Sequence, residues 1–535
     1  MTECRRFHVG SPPAGICPFH GYLSLHYDHH PVELEAATTL CDYPSKTYPG
    51  TYPVQRLYHL LTCSFSCQVA IVKLPIELLL SVFHHYLYTS PQGWPTLTHV
   101  CGWWRHVVLT SPLWLRLRLY CTYGTPVLKY LDSWPSFPLV VSYGGSPVHN
   151  PPAPEDDENI VAAFKQSHRV YSISLTVTKS LLKNMSAISE PFPILEELVL
   201  LYRDGVQVTL PSTFRWGPRL RTLHLTRFRI PFPALLQHLS PPSSLVDLHL
   251  HDIPSDGYFP PDAFANALSE LAQLETLSLH FLTLPPRRTF VGLTSRPSNR
   301  VTLPGLTCLK YRGTSTYLDR FVARIDAPRL GDIGVTFFGQ PTMDASQLGR
   351  FIERIETLTS LHQADVQISA RDIAICCSRL GTLTQLKLQI SWGQLDWQLF
   401  SLTQICVHLS PFLHRVQDLR ISSTQSTSEN ADMDGQQWQD LMRVFGGTKD
   451  FHVAGAHVKA ILCALFSADE PPESGTTVLP TLCNLLVKEP ILISGPLMKA
   501  KESFITSRGR SGRHVEFNTV RKQSTTPVRD RNKSH

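Results

Sequence analysis

Four histidines carry the most chemically suggestive spacing in the chain. His224 and His249 stand one residue, and His251 and His280 three residues, after the second leucine of an L-x-x-L-x-L segment. If those segments are strands, alternation turns Leu198, Leu223, Leu248 and Leu277 to one side. It turns Val199, His224, His249 and Ser278, then Leu201, Thr226, His251 and His280, to the other. Neighbouring strands lie about 4.8 Å apart and same-face residues about 7 Å apart, so the four imidazoles can touch one partner group together. Histidine titrates near pH 6.5, and crowded like charges lower the mean, which leaves a mostly neutral, amphipathic patch. The expected role is a share of a target-binding surface. A zinc site is the sharper alternative, against which stands the flat geometry of a sheet. Solvent-facing histidines with no role are the plainer one.

Other candidate ligands are thin. Cys63 with Cys67 and His29 with His30 match no common zinc spacing, and the 13 cysteines include no CxxC pair. They read as reduced thiols of a protein of the cytoplasm or nucleus. There is no GxxxxGK[ST] loop, HExxH helix, GxSxG elbow or GxGxxG turn after a strand. The expectation is a chain with no catalytic residues, no cofactor and no metal.

The elements that must position the histidines recur. VYSISL at Val170, LEELVL at Leu195, LRTLHL at Leu220, LVDLHL at Leu245 and LETLSL at Leu274 follow at intervals of 25, 25, 25 and 29 residues. LTCLKY at Leu306, LGDIGV at Leu330, LHQADV at Leu361, LTQLKL at Leu383 and VQDLRI at Val416 continue the pattern more loosely. FHV at Phe451 and LCNLLV at Leu482 extend it. The period, about 27 residues, is that of leucine-rich repeats, in which stacked units bury one continuous core. Return segments such as DAFANALSELA, Asp262 to Ala272, read as helices. The Asn or Cys ladder usual in such repeats is missing, since Thr178, Arg203, Phe228, Ile253, Leu282, Thr314, Phe338, Ser369, Ser391 and Thr424 stand there. The turns need other hydrogen-bond partners.

Composition agrees with a large folded body. Hydrophobic residues make up 42% and charged residues 17% of 535, enough apolar material for an extended core. The net charge of +6 sits in residues 501–535, so no basic stripe marks the body as a nucleic-acid binder. The longest apolar stretch, Val69 to Phe83, contains Lys73, Pro75 and Glu77 and falls short of a membrane span. The opening MTECRRFHVGSPPAG lacks the apolar core of a signal peptide.

Ahead of the repeats, KLPIELLLSVF, THVCGWWRHVV and SPLWLRL read as three short helical segments carrying more large apolar residues than so small a unit can bury. Their order and spacing resemble the F-box motif, especially as found with irregular leucine-rich repeats in mushroom-forming (basidiomycete) fungi. That resemblance implies docking on the Skp-type adaptor of a cullin-based ubiquitin ligase through Leu74, Pro75, Ile76, Leu78, Leu79, Val82, Phe83, Val100, Cys101, Trp104, Arg105, Leu113 and Trp114. Gly102 and Trp103 depart from the family pattern, which has polar or basic residues there. The expected architecture is α/β, with an irregular segment 1–72 that includes a short helix near Val54–Leu61, and a three-helix F-box over 73–118. A connecting segment and acidic Pro-rich linker (119–158), a leucine-rich-repeat-like solenoid (159–495) and a basic disordered tail (496–535) complete it. The implied function is recruitment of an unknown target protein to the ligase, without contact to membrane or nucleic acid. A repeat scaffold with no ligase role is the alternative.

Overall fold

The computed structural model describes residues 74–520 except 91, 124, 133–134, 144–153, 189, 204–207, 212–216, 230–243, 285–299, 339–342, 370, 380–383, 392–394, 424–434, 468–476 and 489–494. The chain divides between Pro75 and Ile76, and the architecture below belongs to the second unit. The expectations for residues 1–72, including Cys63, Cys67, His29 and His30, lie outside the described residues.

The protein is mixed α/β, with a 16-stranded, mostly parallel sheet and 14 α-helices among the described residues. The sheet strands are β1 (Leu119–Cys121), β2 (Leu139–Tyr143), β3 (Val170–Val177), β4 (Glu197–Tyr202), β5 (Thr222–Thr226), β6 (Asp247–Ile253), β7 (Thr276–Phe281) and β8 (Cys308–Gly313). They continue as β9 (Asp332–Phe337), β10 (Gln363–Ile368), β11 (Asp372–Ser378), β12 (Gln385–Ser391), β13 (Asp418–Ser423), β14 (Asp450–Ala454), β15 (Asn484–Lys488) and β16 (Glu516–Val520). All ten L-x-x-L-x-L segments and both later candidates are strands.

Register makes the leucines a core. One continuous row runs Leu198, Leu223, Leu248, Leu277, Leu309, Ile333 and Leu386 from β4 to β12, each directly opposite the next. A second row, two residues on, runs Leu200, Leu225, Leu250, Leu279, Tyr311, Val335 and Leu388. Every member of both rows is buried, while the residues between them, apart from buried Ser278, are at least partly exposed. One sheet face is therefore covered and the other open. The cover is a second layer of helices, of which α7 (Pro261–Leu268), α8 (Ser315–Arg324) and α9 (Ser346–Glu353) pack in succession. After α10 (Leu395–His408) and α11 (Ser410–Leu413), the succession resumes with α12 (Gly435–Val444), α13 (Val458–Ser467) and α14 (Pro496–Arg510). The labels α1 to α6 belong to Ile76–Thr89, Trp94–Val100, Gly102–Thr110, Val127–Tyr130, Pro154–Phe164 and Lys179–Ser186.

The turns missing an Asn ladder are satisfied by main chain instead. Ahead of many of the strands, one carbonyl accepts two N–H groups from the next unit. Glu196 O takes Arg221 N and Thr222 N, Arg221 O takes Val246 N and Asp247 N, and Val246 O takes Glu275 N and Thr276 N. The same spine resumes on Gln417 and Lys449. At the strands' other ends, Leu282 N donates to Ile253 O and Phe338 N to Gly313 O, while Thr178 and Thr314 cap α6 and α8 through their hydroxyls.

Strand order departs from chain order once. The sheet runs β9-β12-β11-β10-β13, with β11 antiparallel to both neighbours. β11 (DIAICCS) lacks the leucine pattern, and the tight Ser369–Asp372 turn folds it back on β10. The helix α10 then packs over β11 and β12 on the way to β13.

Two expected boundaries are corrected. The stretch 119–158 is not a connecting linker, because β1 and β2 open the sheet and α5 begins within it. The acids Glu155, Asp156 and Asp157 fill the first turn of α5, where they complement the helix dipole, and Pro154 takes the first helical position. Nor is the tail from 496 disordered up to 520. Buried Arg508 ties α14 to the carbonyls of Val478 and Leu479, and β16 adds to β15 in parallel. Residues 521–535 lie outside the described residues.

Truncating a buried row should cost far more than trimming the open face beside it. Leu248→Ala is expected to lower stability by about 2–5 kcal/mol, and urea titration of Leu248→Ala against His249→Ala should show the difference. Equal midpoints would place the inward face wrongly.

Candidate functional site

Two surfaces stand out, one on the N-terminal helices and one on the open sheet face. The helices α1, α2 and α3 pack around Phe83 and Trp104, whose rings meet edge-on at 4.8 Å. Leu79 (1% exposed), Phe83, Leu87, Leu97, Trp104, Val107 and Val108 form this small core. The other helical face is uncovered. Leu78 is 54%, Val82 43% and Leu113 90% exposed, and Ile76, Val100 and Trp114 are exposed with them. Leu74, Pro75 and Arg105 are exposed as well. The thirteen residues singled out by the motif thus divide by role. Leu79, Phe83 and Trp104 hold the unit together, and most of the rest are presented outward.

Helix boundaries differ from expectation at Cys101. The stretch from Leu97 to Val108 is two helices, because Cys101 is extended (φ −158°, ψ 169°) and its Sγ accepts from Trp104 N at 3.5 Å as the cap of α3. Gly102 is the first residue of α3, and the expected third helix at SPLW is instead a turn ending on Arg116 at φ 50°.

The four histidines meet on the open face as the strand alternation predicts. His224, His249 and Ser278 are opposite one another on β5, β6 and β7, and Thr226 is opposite His251. Between Leu250 and Ile253 the register slips by one, so β6 carries a bulge in which Asp252 takes φ 51°. Asp252 holds Arg227, itself at φ 66°, by an ion pair of 3.3 Å. The bulge brings His251 against His280 in a parallel stack with centroids 4.1 Å apart and planes 6° apart. A polar chain then runs through the cluster. His224 Nε2 and His251 Nδ1 share a hydrogen bond at 3.0 Å, and His251 Nε2 pairs with Ser278 Oγ at 2.8 Å. Ser278 Oγ lies 3.3 Å from His280 Nε2, and Thr226 Oγ1 lies 3.2 Å from His224 Nε2.

Burial, more than mutual repulsion, sets the charge state. Desolvation pushes His224 and His280 down to about 4 and lowers His249 and His251, with the neighbouring histidines, Lys310 and Arg312 adding to it. Like-charge crowding, the expected cause, is secondary. The patch is neutral at physiological pH, a hydrogen-bonded surface of four rings able to face apolar and polar groups together. Among the described residues no group of three or more His, Cys, Asp or Glu is arranged to hold a metal ion.

An unfolded chain takes up protons on these histidines near pH 6.5, whereas the folded cluster stays neutral to about pH 4 for His224 and His280. Their contribution to stability is complete above pH 6.5 and is lost as pH falls toward 4. Thermal melts from pH 7.5 to 5 should show a declining midpoint, and His224→Gln with His280→Gln should flatten the decline. Equal slopes would clear the histidines of the effect.

Compared with known proteins, the sequence matches no family model and no curated protein.

Proposed function

We propose that the chain is a non-catalytic, substrate-recruiting F-box subunit of a Skp-cullin-F-box ubiquitin ligase, working in the cytoplasm or nucleus. In this reading α1 to α3 dock the Skp-type adaptor, which brings a cullin, and the parallel sheet with its helical layer is a leucine-rich-repeat-like solenoid whose open face holds a target protein. The observation that carries it is the split of one helix into two apolar faces. On α1, Leu79 and Phe83 are spent on the internal core while Leu78 and Val82 are left uncovered, as are Val100, Leu113 and Trp114 of the same N-terminal segment. So many exposed large apolar residues on a small unit mark a place for a partner. Among the described residues no helix is long and apolar enough to cross a membrane, so the reading calls for no membrane contact, and it calls for no nucleic acid.

Leu78→Asp with Val82→Asp should abolish co-purification of the adaptor and cullin while leaving the thermal midpoint near wild type, because both side chains are already in water. Wild-type capture by a folded double variant would make the docking assignment wrong. A wild-type chain that captures partners but neither adaptor nor cullin would be a scaffold.

The open face is expected to act independently. Replacing His224, His249, His251 and His280 by Ala should preserve adaptor capture and weaken the co-purified target. An unchanged partner list would leave the histidines without that role.

A further inference from the structure

Beside the histidine cluster the open face changes character. Lys310 on β8, Gly334 on β9 and Lys387 on β12 stand directly opposite one another, and Arg312, Thr336 and Gln389 follow two residues on. The two lysines and Arg312 are exposed. Gly334 offers no side chain between them, and a Cβ there would touch only Lys310 Cγ, at 3.7 Å. The result is a shallow notch with a backbone floor and cations on both sides, the lysine backbones about 10 Å apart across two strand spacings.

These cations differ from others on the same face. Arg227 has Asp252 at 3.3 Å and Arg420 has Asp418 at 2.8 Å, whereas Lys310, Arg312 and Lys387 take part in none of the ion pairs among the described residues. The carboxylates around the notch are engaged by neutral donors: Asp365, two strands beyond Lys387 in the same row, accepts from Gln363 Nε2 at 3.0 Å, and Asp372 accepts from Gln389 Nε2 at 2.8 Å, while Asp332 and Asp247 stand one row closer to the strand starts. Asp332 accepts from Cys308 Sγ at 3.4 Å and Asp247 from Thr222 Oγ1 at 3.2 Å. Among the described residues no ion pair offsets the positive charge of Lys310 and Lys387 where the neutral histidine surface ends, and Arg312 has the Phe338 ring at 5.8 Å as its contact.

We propose that this notch binds an acidic segment of the target, an extended peptide whose carboxylates reach Lys310, Arg312 and Lys387 while its neighbouring residues lie on the histidine cluster. The proposal rests on the reading of the open face as the target-binding surface and names the chemistry of what binds there. Carboxylates two residues apart on an extended chain are about 7 Å apart, a spacing that two lysines on flexible stems bracket from either side of the notch. Gly334 lets the peptide backbone approach the floor, and the unpaired cations steer and register it through charge complementarity.

The test uses the full chain and a short fluorescein-labelled peptide of alternating Glu and Ala, read by anisotropy. Binding should weaken as salt rises, and Lys310→Glu with Lys387→Glu should weaken it at least about tenfold, with the thermal midpoint unchanged because both side chains are exposed. Arg443→Glu, on α12 in the helical layer and paired with Asp440, should leave it unchanged. Unchanged affinity in the double variant, or equal binding of a Gln–Ala peptide, would overturn the proposal. So would binding of a phosphoserine peptide with none of the Glu peptide, which would make the notch a phosphate site. Adaptor capture is measured on the same proteins. Its absence from the wild type removes the ligase reading, while Glu-dependent peptide binding supports the acidic-segment proposal regardless.

Discussion

The strict register between strands is the constraint on which the remaining features depend. It is enforced from both sides of the backbone. Buried leucines opposite leucines leave no room for a slip, since a one-residue shift would turn Leu223 and Leu225 to the open face and His224 into the core. The carbonyls of Glu196, Arg221 and Val246, each taking two N–H groups from the next unit, fix the same alignment through hydrogen bonds that have no alternative partner in the turns. Once alignment is set, residues 25 apart in sequence become neighbours, and the surface chemistry of the open face is written in rows.

That is why so much of the strand layer was legible. Leu198, Leu223, Leu248 and Leu277 have a fixed place in a repeated phrase, and the face carrying His224, His249, His251 and His280 followed from alternation alone. What alternation does not contain is the bulge. The left-handed Asp252 re-aims His251 toward His280, and only the register shows this. The notch at Gly334 was illegible for a related reason, because LGDIGV and LTQLKL are separated by 53 residues of start-to-start sequence and become adjacent through a change of strand order. β1, β2 and β16 were missed because their short sequences, LYC, LVVSY and EFNTV, lack the leucine spacing. Their partners, not their own composition, make them strands.

The N-terminal helices show the opposite balance. The resemblance assigns the motif residues one role, whereas packing divides them into buried and exposed. Leu79, Phe83 and Trp104 are needed for the unit to exist, and Leu78, Val82, Leu113 and Trp114 are what it presents. A sequence pattern cannot separate these classes when both are apolar at helical spacing. The split at Cys101 is a second such case, since a thiol capping a helix has the same spacing as a thiol lying within one.

The inverted β10–β11–β12 segment has a consequence for how the chain comes to be folded. Contacts such as Thr222 with Asp247 join residues 25 apart, while Ser391 with Phe337 joins residues 54 apart. In a sheet that follows chain order, each strand can add to the one just formed, so ordering spreads outward from any nucleus by short loop closures. At β9 that propagation stops. The next strand in sequence is three places away in the sheet, and β12 becomes a template neighbour only after the chain has run out through β10 and back through β11. The sheet is thereby divided into two runs of strands in chain order, separated by the inverted segment that begins where β9 meets β12. The Lys310, Gly334 and Lys387 row straddles that seam, so the row is complete only once β12 has paired with β9.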